Sequence, residues 1–189
     1  MKIQWRFWVL ALCALTSGIA QTREEMLPIA NGRTLVVTVP DGFSYNTGTN
    51  ELGEFGFVLV DYKAGVKMQV MLHADEEGIF EEGRARRERL YDEFKGYVEQ
   101  SRQGGMQFDE LAPAGGKLTT CIFTDKALID KPVSEYPRGE YLHLTVGVKA
   151  WPGFVATVML FSNDLKGPQH LAAMKVLSES VQEKPVPLR

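Results

Sequence analysis

His73 is the residue whose neighbours in the sequence best suit metal chemistry. It ends an alternating apolar segment and is followed by Asp75, Glu76 and Glu77. An imidazole beside carboxylates could ligate a divalent cation, but no second histidine or cysteine follows at ligand spacing. The alternative interpretation is an acidic loop whose carboxylates favour the N-terminus of a following helix. We therefore predict no metal site.

His143 and His170 could act in acid–base catalysis only beside other catalytic groups, and the sequence places none next to them. His143 stands between Tyr141 and Thr145 in an alternating segment, which predicts a half-exposed sheet residue; it could instead face a shallow pocket. His170 is expected on the surface of the last helix. No nucleophile elbow, phosphate-binding loop, His-Glu-x-x-His or Cys-x-x-Cys motif occurs. We predict no catalytic residue and no cofactor, although catalytic groups can also assemble from distant residues.

Cys121 is the only cysteine after residue 20. Its neighbours from Leu118 to Phe123 predict a strand, and a lone cysteine in a strand is usually buried and inert. The alternatives are a reactive thiol or an intermolecular disulfide. We expect no internal disulfide if residues 1–20 are removed.

Two segments have the aromatic and apolar content of a binding site. Trp151 is expected at the tip of a tight turn, Trp151-Pro152-Gly153, and large exposed aromatics are enriched at interaction sites. The irregular connection 127–138 contains more apolar residues than a solvated loop needs. We predict Trp151, Leu128, Ile129 and Tyr136 as partner-binding residues. The alternative is that Trp151 folds back over the sheet while the loop caps the core.

Residues 1–20 have the composition of a secretory signal peptide. Lys2 and Arg6 accompany a following apolar run, and Gly18 and Ala20 put small residues before a cleavage site after Ala20. We expect this segment to be removed and the protein to act in the periplasm or outside the cell. A buried N-terminal helix is the alternative.

Cys13 raises the question of a lipid anchor. Leu10-Ala11-Leu12-Cys13 places a leucine three positions before the cysteine, as a lipoprotein signal does. Leu12 is bulky where such a signal needs a small residue, so we interpret Cys13 as part of the apolar run.

The remaining chain has the length and charge of one acidic domain. We predict a single domain over 21–183 and a proline-containing tail over 184–189. The net charge of the 189 residues is −3, and the loss of two basic residues with the signal makes it more negative. Without a basic run we expect no nucleic-acid partner. No apolar segment of this chain is long enough to span a membrane.

Strand and helix patterns alternate in a way that predicts an α+β domain. Strands are predicted at 34–39, 55–62, 66–74, 106–111, 117–125, 140–149 and 154–162, and helices at 80–103 and 167–182. Short turns join most strands, so the sheet should be mainly antiparallel, with about six or seven strands. Two amphipathic helices must each bury one face against it. We interpret the charge run of the long helix as its solvated face, with Arg84–Glu88 and Arg89–Glu93 ion pairs.

This order of elements resembles the PsbP-like α/β/α sandwich group. Val39-Pro40-Asp41-Gly42-Phe43 is similar to the group's opening after the first strand, and the helices at 80–103 and 167–182 match as well. The group includes the extrinsic photosystem II protein, a nuclear-import factor that binds the Ran GTPase, and secreted bacterial domains of unknown function. The resemblance implies a fold but no catalytic residue, because a fold does not fix function.

We therefore expect an exported, non-enzymatic domain that binds a protein or a component of the cell envelope. The alternative is a hydrolase or metal-dependent enzyme whose site forms only in the folded chain. A cleft that joins His143 or His73 to acidic residues would favour the enzyme, whereas an exposed apolar patch without such a cleft would favour binding. A structural assembly domain is the third interpretation, and the sequence leaves the oligomeric state open.

Overall fold

A computed structural model describes residues 22–29, 33–49, 55–113 and 116–184. The predicted signal peptide and lipid position, and residues 185–189 of the predicted tail, lie outside these ranges. The strands are β1 (Arg23–Ile29), β2 (Arg33–Val39), β3 (Ser44–Thr49), β4 (Phe55–Asp61), β5 (Val66–Asp75), β6 (Phe108–Leu111), β7 (Lys117–Thr124), β8 (His143–Trp151), β9 (Gly153–Ser162) and β10 (Val181–Lys184). The α-helices are α1 (Gly83–Phe94) and α2 (Pro168–Lys175).

The strands form two antiparallel sheets. The main sheet has seven strands in the order β3-β4-β5-β9-β8-β7-β6, and a smaller sheet has the order β1-β2-β10. The predicted α+β class with a mainly antiparallel sheet is therefore confirmed. The terminal strands β1 and β10, which pair with β2, were not predicted.

Both predicted central hairpins are present. β4 and β5 pair from Phe55↔Leu72 to Asp61↔Val66, and Gly65 in their turn has φ 63°, as a left-handed turn residue needs. β8 and β9 pair as far as Trp151↔Phe154. The second turn therefore has only two residues, Pro152 and Gly153, and Trp151 belongs to the sheet, not to the turn.

The seven-stranded sheet lies between two layers. On one face, the small sheet and α2 bury a core that includes Leu35, Phe57, Met68, Leu160 and Leu177. On the other face, α1 lies against β7 and β8 and buries a second core that includes Leu90, Phe94, Cys121, Val146 and Val148. Strand β8 therefore lies between these layers and is buried on both faces.

Both helices are shorter than predicted. A separate 3₁₀ turn at Ile79–Glu81 precedes α1, because the Asp75 carboxylate accepts the N–H of Ile79 at 2.9 Å and starts that turn. A second 3₁₀ turn, Lys95–Tyr97, follows α1. α2 continues as a π-helical turn, Val176–Ser180, and then becomes β10 rather than more helix. None of the helices in the described ranges is long and apolar enough to cross a membrane.

Candidate functional site

His170 is buried, contrary to the prediction that it lies on the surface of the last helix. It is 4% exposed, and its Nδ1 lies 2.8 Å from Oγ of Ser162. It faces the sheet because it lies on the same side of α2 as the buried Ala173. The Ser162–His170 contact therefore ties α2 to β9.

The environment of this serine–histidine pair keeps the imidazole neutral. Burial lowers the pKa of His170, and the neighbouring His143 lowers it further, while Asp164 opposes both. A neutral histidine beside a serine could act as a base. Ser162, however, has no exposed surface, so a substrate in solution cannot reach its hydroxyl in this conformation.

His143 is half-buried, as predicted. Its Nδ1 lies 3.1 Å from Oγ1 of Thr124 on the adjacent strand. Burial lowers the pKa of His143, and Asp164 raises it in part. Since neighbouring residues of a strand point to opposite faces, His143 lies on the α2 side of the sheet, away from Leu144 and α1.

His73 and the carboxylates after it do not form a metal-binding cluster. Asp75 is buried and accepts the N–H groups of Ile79 and Phe80, which is the helix-start role of the alternative interpretation. Glu76 and Glu77 are exposed in the turn. Within the described ranges, no group of three or more His, Cys, Asp or Glu side chains is arranged to hold a metal ion.

Two of the predicted partner-binding residues lie in the interior. Trp151 is 3% exposed and Leu128 is 1% exposed, whereas Ile129 and Tyr136 are half-buried. The Trp151 ring stacks on Phe154, with centroids 4.8 Å apart. A partner cannot reach Trp151 or Leu128 in this conformation, and their burial fits the interpretation in which the tryptophan folds back over the sheet. The partner-binding role of the four residues stays a prediction.

Cys121 is buried in the core beneath α1. Burial raises the pKa of its thiol, although hydrogen bonds from the backbone partly offset this effect. The thiol is therefore protonated and shielded at neutral pH, as the inert interpretation requires.

A pocket of about 190 Å³ opens where the chain leaves α1 and meets the ends of β7 and β9. We call it the aromatic pocket. Its lining includes the buried Phe123 and Leu144 and the more exposed Tyr97, Tyr141 and Phe161. The other lining residues are Gln100, Ser101, Asp125, Gly139, Glu140 and Leu142. No motif or spacing in the sequence indicates this pocket.

Backbone hydrogen bonds hold the segments around the aromatic pocket together. The N–H of Arg102 donates to the carbonyl of Thr124 at 2.8 Å, and that of Lys126 donates to the carbonyl of Gln100 at 3.1 Å. The N–H of Asp125 donates to the carbonyl of Leu142 at 2.9 Å. These bonds cross between three segments, so the pocket is part of the folded framework.

The sheet surface beside this pocket is only partly covered. α1 lies over β7 and β8, while β4 and β5 present half-buried side chains on the same face. This open sheet face consists of Val58, Val60, Lys67, Gln69, Met71, Met159 and Phe161. Phe161 also lines the aromatic pocket, so the two features form one continuous surface.

No protein-family model, no curated protein and no solved structure matches this chain. The PsbP-like resemblance therefore stays a prediction.

Proposed function

We propose that this protein is an exported, non-enzymatic domain that binds a protein or an envelope component through the aromatic pocket and the open sheet face. The observation that carries the proposal is the position of Phe161, which makes a pocket and a half-buried, largely apolar sheet surface continuous. Export is supported by the signal pattern of residues 1–20. The layered arrangement fits a PsbP-like α/β/α sandwich.

The composition of this surface supports recognition of a macromolecule. Aromatic residues and methionine are enriched at protein interfaces, and the surface contains Tyr141, Phe161, Met71 and Met159. Methionine side chains adapt their shape to a partner. A sheet with an apolar face normally buries it against another layer, which on β4 and β5 a partner could supply.

The placement of the histidines favours binding over the alternative of a hydrolase or metal-dependent enzyme. His143 lies on the opposite face of the sheet from the pocket lining, and no histidine lines the aromatic pocket. The Ser162–His170 pair is buried beneath α2. His143, Ser162 and His170 therefore lie on the opposite side of the sheet from the aromatic pocket.

The test is capture of partners from the native cell envelope by an immobilised chain that lacks residues 1–20. Met159→Glu places a charge in the open sheet face and should abolish capture of the partner. Leu171→Glu is the matched control, because Leu171 is 55% exposed on α2, on the other side of the molecule. It should capture the same partner as the wild type.

Unfolding curves must show that both variants are folded. If the Met159→Glu variant captures the same partners as wild type, in the same amounts, this surface is not the binding site and the proposal fails.

A further inference from the structure

We propose that the aromatic pocket receives the cationic side chain of a lysine or arginine from a protein partner, an inference that rests on the proposed binding function. The juxtaposition that carries it is a pocket with four aromatic rings whose only charged lining residues are two carboxylates, Asp125 and Glu140.

The rings are arranged as two pairs. The centroids of Tyr97 and Phe123 lie 5.9 Å apart, and those of Tyr141 and Phe161 lie 5.5 Å apart. The pairs are tilted, with interplanar angles of 33° and 43°. The face of an aromatic ring carries partial negative charge and attracts cations within about 6 Å.

The charge at the pocket complements the same ligand. Neither Asp125 nor Glu140 forms an ion pair with a lysine or arginine in the part of the chain that the structure describes. Asp125 accepts the N–H of Ala127 through Oδ1 at 2.7 Å, which fixes its position, and Glu140 is exposed. A side chain with an apolar stem and a charged end would place its stem against the rings and its charge near these carboxylates.

The pocket is sized for one side chain. Its volume of about 190 Å³ lies below the roughly 300 Å³ at which pockets for drug-sized ligands begin. Two of the lining residues, Phe123 and Leu144, are buried. A single residue of a partner could therefore enter while the rest of that partner lies on the open sheet face.

Lys67 shows that a cation already approaches one of these rings from outside the pocket. Its Nζ lies 5.8 Å from the centroid of Phe161, on the side of the open sheet face. Lys67 does not line the pocket, but its charge repels a second cation nearby. We therefore expect Lys67→Met to strengthen binding of a cationic ligand.

The direct test uses single amino-acid derivatives as probes of the wild-type protein. Nα-acetyl-lysine methylamide and Nα-acetyl-arginine methylamide should shift the ring resonances of Tyr141 and Phe161 in NMR titrations. Their affinities should be about fivefold or more above that of the neutral norleucine derivative, and the glutamate derivative should bind least. Equal affinities for lysine and norleucine would overturn the inference.

Matched variants connect the effect to the pocket. Tyr141→Leu keeps apolar volume but removes a ring, and Glu140→Gln removes one exposed charge; each should weaken lysine binding severalfold. Tyr62→Leu is the control, because Tyr62 is an exposed tyrosine outside the pocket lining, and it should leave binding unchanged. Wild-type affinity in both pocket variants would also overturn the inference.

Two further outcomes separate this inference from the function on which it rests. If Met159→Glu abolishes partner capture but lysine binds no better than norleucine, the surface binds a partner without a cation and only this inference fails. If the lysine probe binds in the pocket while partner capture is unaffected by Met159→Glu, the proposed function fails. If tetramethylammonium binds far more tightly than both amino-acid derivatives, a quaternary ammonium group is the ligand and the side-chain assignment is wrong.

Discussion

Arg86 and Lys149 are buried cations on opposite faces of the main sheet. Among their described contacts, Arg86 has a carboxylate partner and Lys149 has none. Arg86 is 4% exposed, and its guanidinium donates to Oε2 of Glu110 at 2.8 Å and to Oγ1 of Thr119 at 2.7 Å. It also donates to the carbonyls of Phe80 and Glu81. Arg86 therefore has a carboxylate and three neutral acceptors.

Lys149 has no exposed surface and no carboxylate among its described contacts. Its Nζ donates to the carbonyl of Leu177 at 2.7 Å, in the π-helical turn after α2, and lies 4.7 Å from the ring centroid of Trp151. A lysine at a helix C-terminus interacts favourably with the last carbonyls. Burial nevertheless lowers the pKa of Lys149 to about 8.

The difference teaches how each layer is attached to the sheet. Arg86 connects α1 and the preceding 3₁₀ turn to β6 and β7 through a charge-neutralised cluster. Lys149 connects β8 to the end of α2 through carbonyl dipoles and an aromatic ring. An ammonium with only dipoles as partners releases its proton more readily than one in water, because burial disfavours the charged form.

The largest effect should come from breaking the Arg86 cluster. Arg86→Met keeps an apolar stem but removes the hydrogen bonds that Thr119, Glu110 and two backbone carbonyls accept from Arg86. Because a buried acceptor left unsatisfied costs roughly 1–3 kcal/mol, we expect a loss of about 3–5 kcal/mol in the free energy of unfolding. Arg87→Met is the matched control, because Arg87 also pairs with Glu110, at 2.6 Å, but is 43% exposed. The Arg87→Met variant should lose less than about 1 kcal/mol in its free energy of unfolding. Urea unfolding at neutral pH measures both, and equal losses would contradict the role given to Arg86.

The second effect is a pH dependence from Lys149. Its pKa is about 8 in the folded protein against 10.5 for the ordinary group, so between these values the unfolded chain binds more protons. Stability from this residue therefore rises with pH across that window. The free energy of unfolding of wild type, relative to Lys149→Met, should increase by up to about 3 kcal/mol between pH 7.5 and 10.5.

The exposed Lys166 supplies the control for this measurement. The difference between wild type and Lys166→Met should stay constant over the same pH range. A constant difference for Lys149→Met as well would mean that the buried amine keeps an ordinary pKa.

The smallest effect on stability should come from Glu110, the carboxylate that pairs with Arg86. Burial raises the pKa of Glu110, but hydrogen bonds from Arg86 and Thr119 outweigh this and lower it. A carboxyl with a lowered pKa stabilises the fold above its unfolded pKa and loses that contribution as the pH falls through the folded value. Glu110→Gln should therefore be less stable than wild type at pH 7, by under about 1 kcal/mol because the side chain is 38% exposed.

This difference should begin to shrink as the pH falls below about 4, the ordinary range of a glutamate pKa, and should vanish once the pH is below the lowered pKa of Glu110. Chemical unfolding of both proteins at several pH values checks it. Glu88→Gln, which changes an exposed ion pair within α1, should show a smaller difference. A deficit in Glu110→Gln that persists unchanged at pH 3 would mean that the negative charge of Glu110 is not what stabilises the cluster.

The sequence predicted the strands and helices better than it predicted which layers pack on each face of the sheet. The Arg84–Glu88 and Arg89–Glu93 pairs are both present at 2.7 Å, because spacing of four along a helix is a local property. The burial of Arg86, in the same charge run, was not predicted. Its spacing of four from Leu90 places both residues on the buried side of α1, but an arginine is normally expected on the solvated side.

The burial of Lys149 could not be predicted from the sequence of its own strand. An alternating strand with lysine and threonine on one side normally exposes that side. Here α2 and the small sheet cover it, and β10, at the edge of that small sheet, has mostly polar residues that gave no strand signal. The aromatic pocket escaped prediction for a similar reason. Phe123 and Phe161 lie near the ends of β7 and β9, and Tyr141 lies just before β8. These residues are far apart in the sequence, and only the strand order brings them together.

The two-residue turn at Pro152 and Gly153 pairs Trp151 with Phe154 in the sheet, and this buried tryptophan can serve as a fluorescence reporter. The other two tryptophans, Trp5 and Trp8, fall within the predicted signal peptide, so a chain without that segment would fluoresce through Trp151 alone. This indole is stacked in the core about 25 Å along β8 from the pocket end of the strand. Its emission should therefore report unfolding while remaining unchanged by a ligand in the pocket, which separates the two events in a single sample.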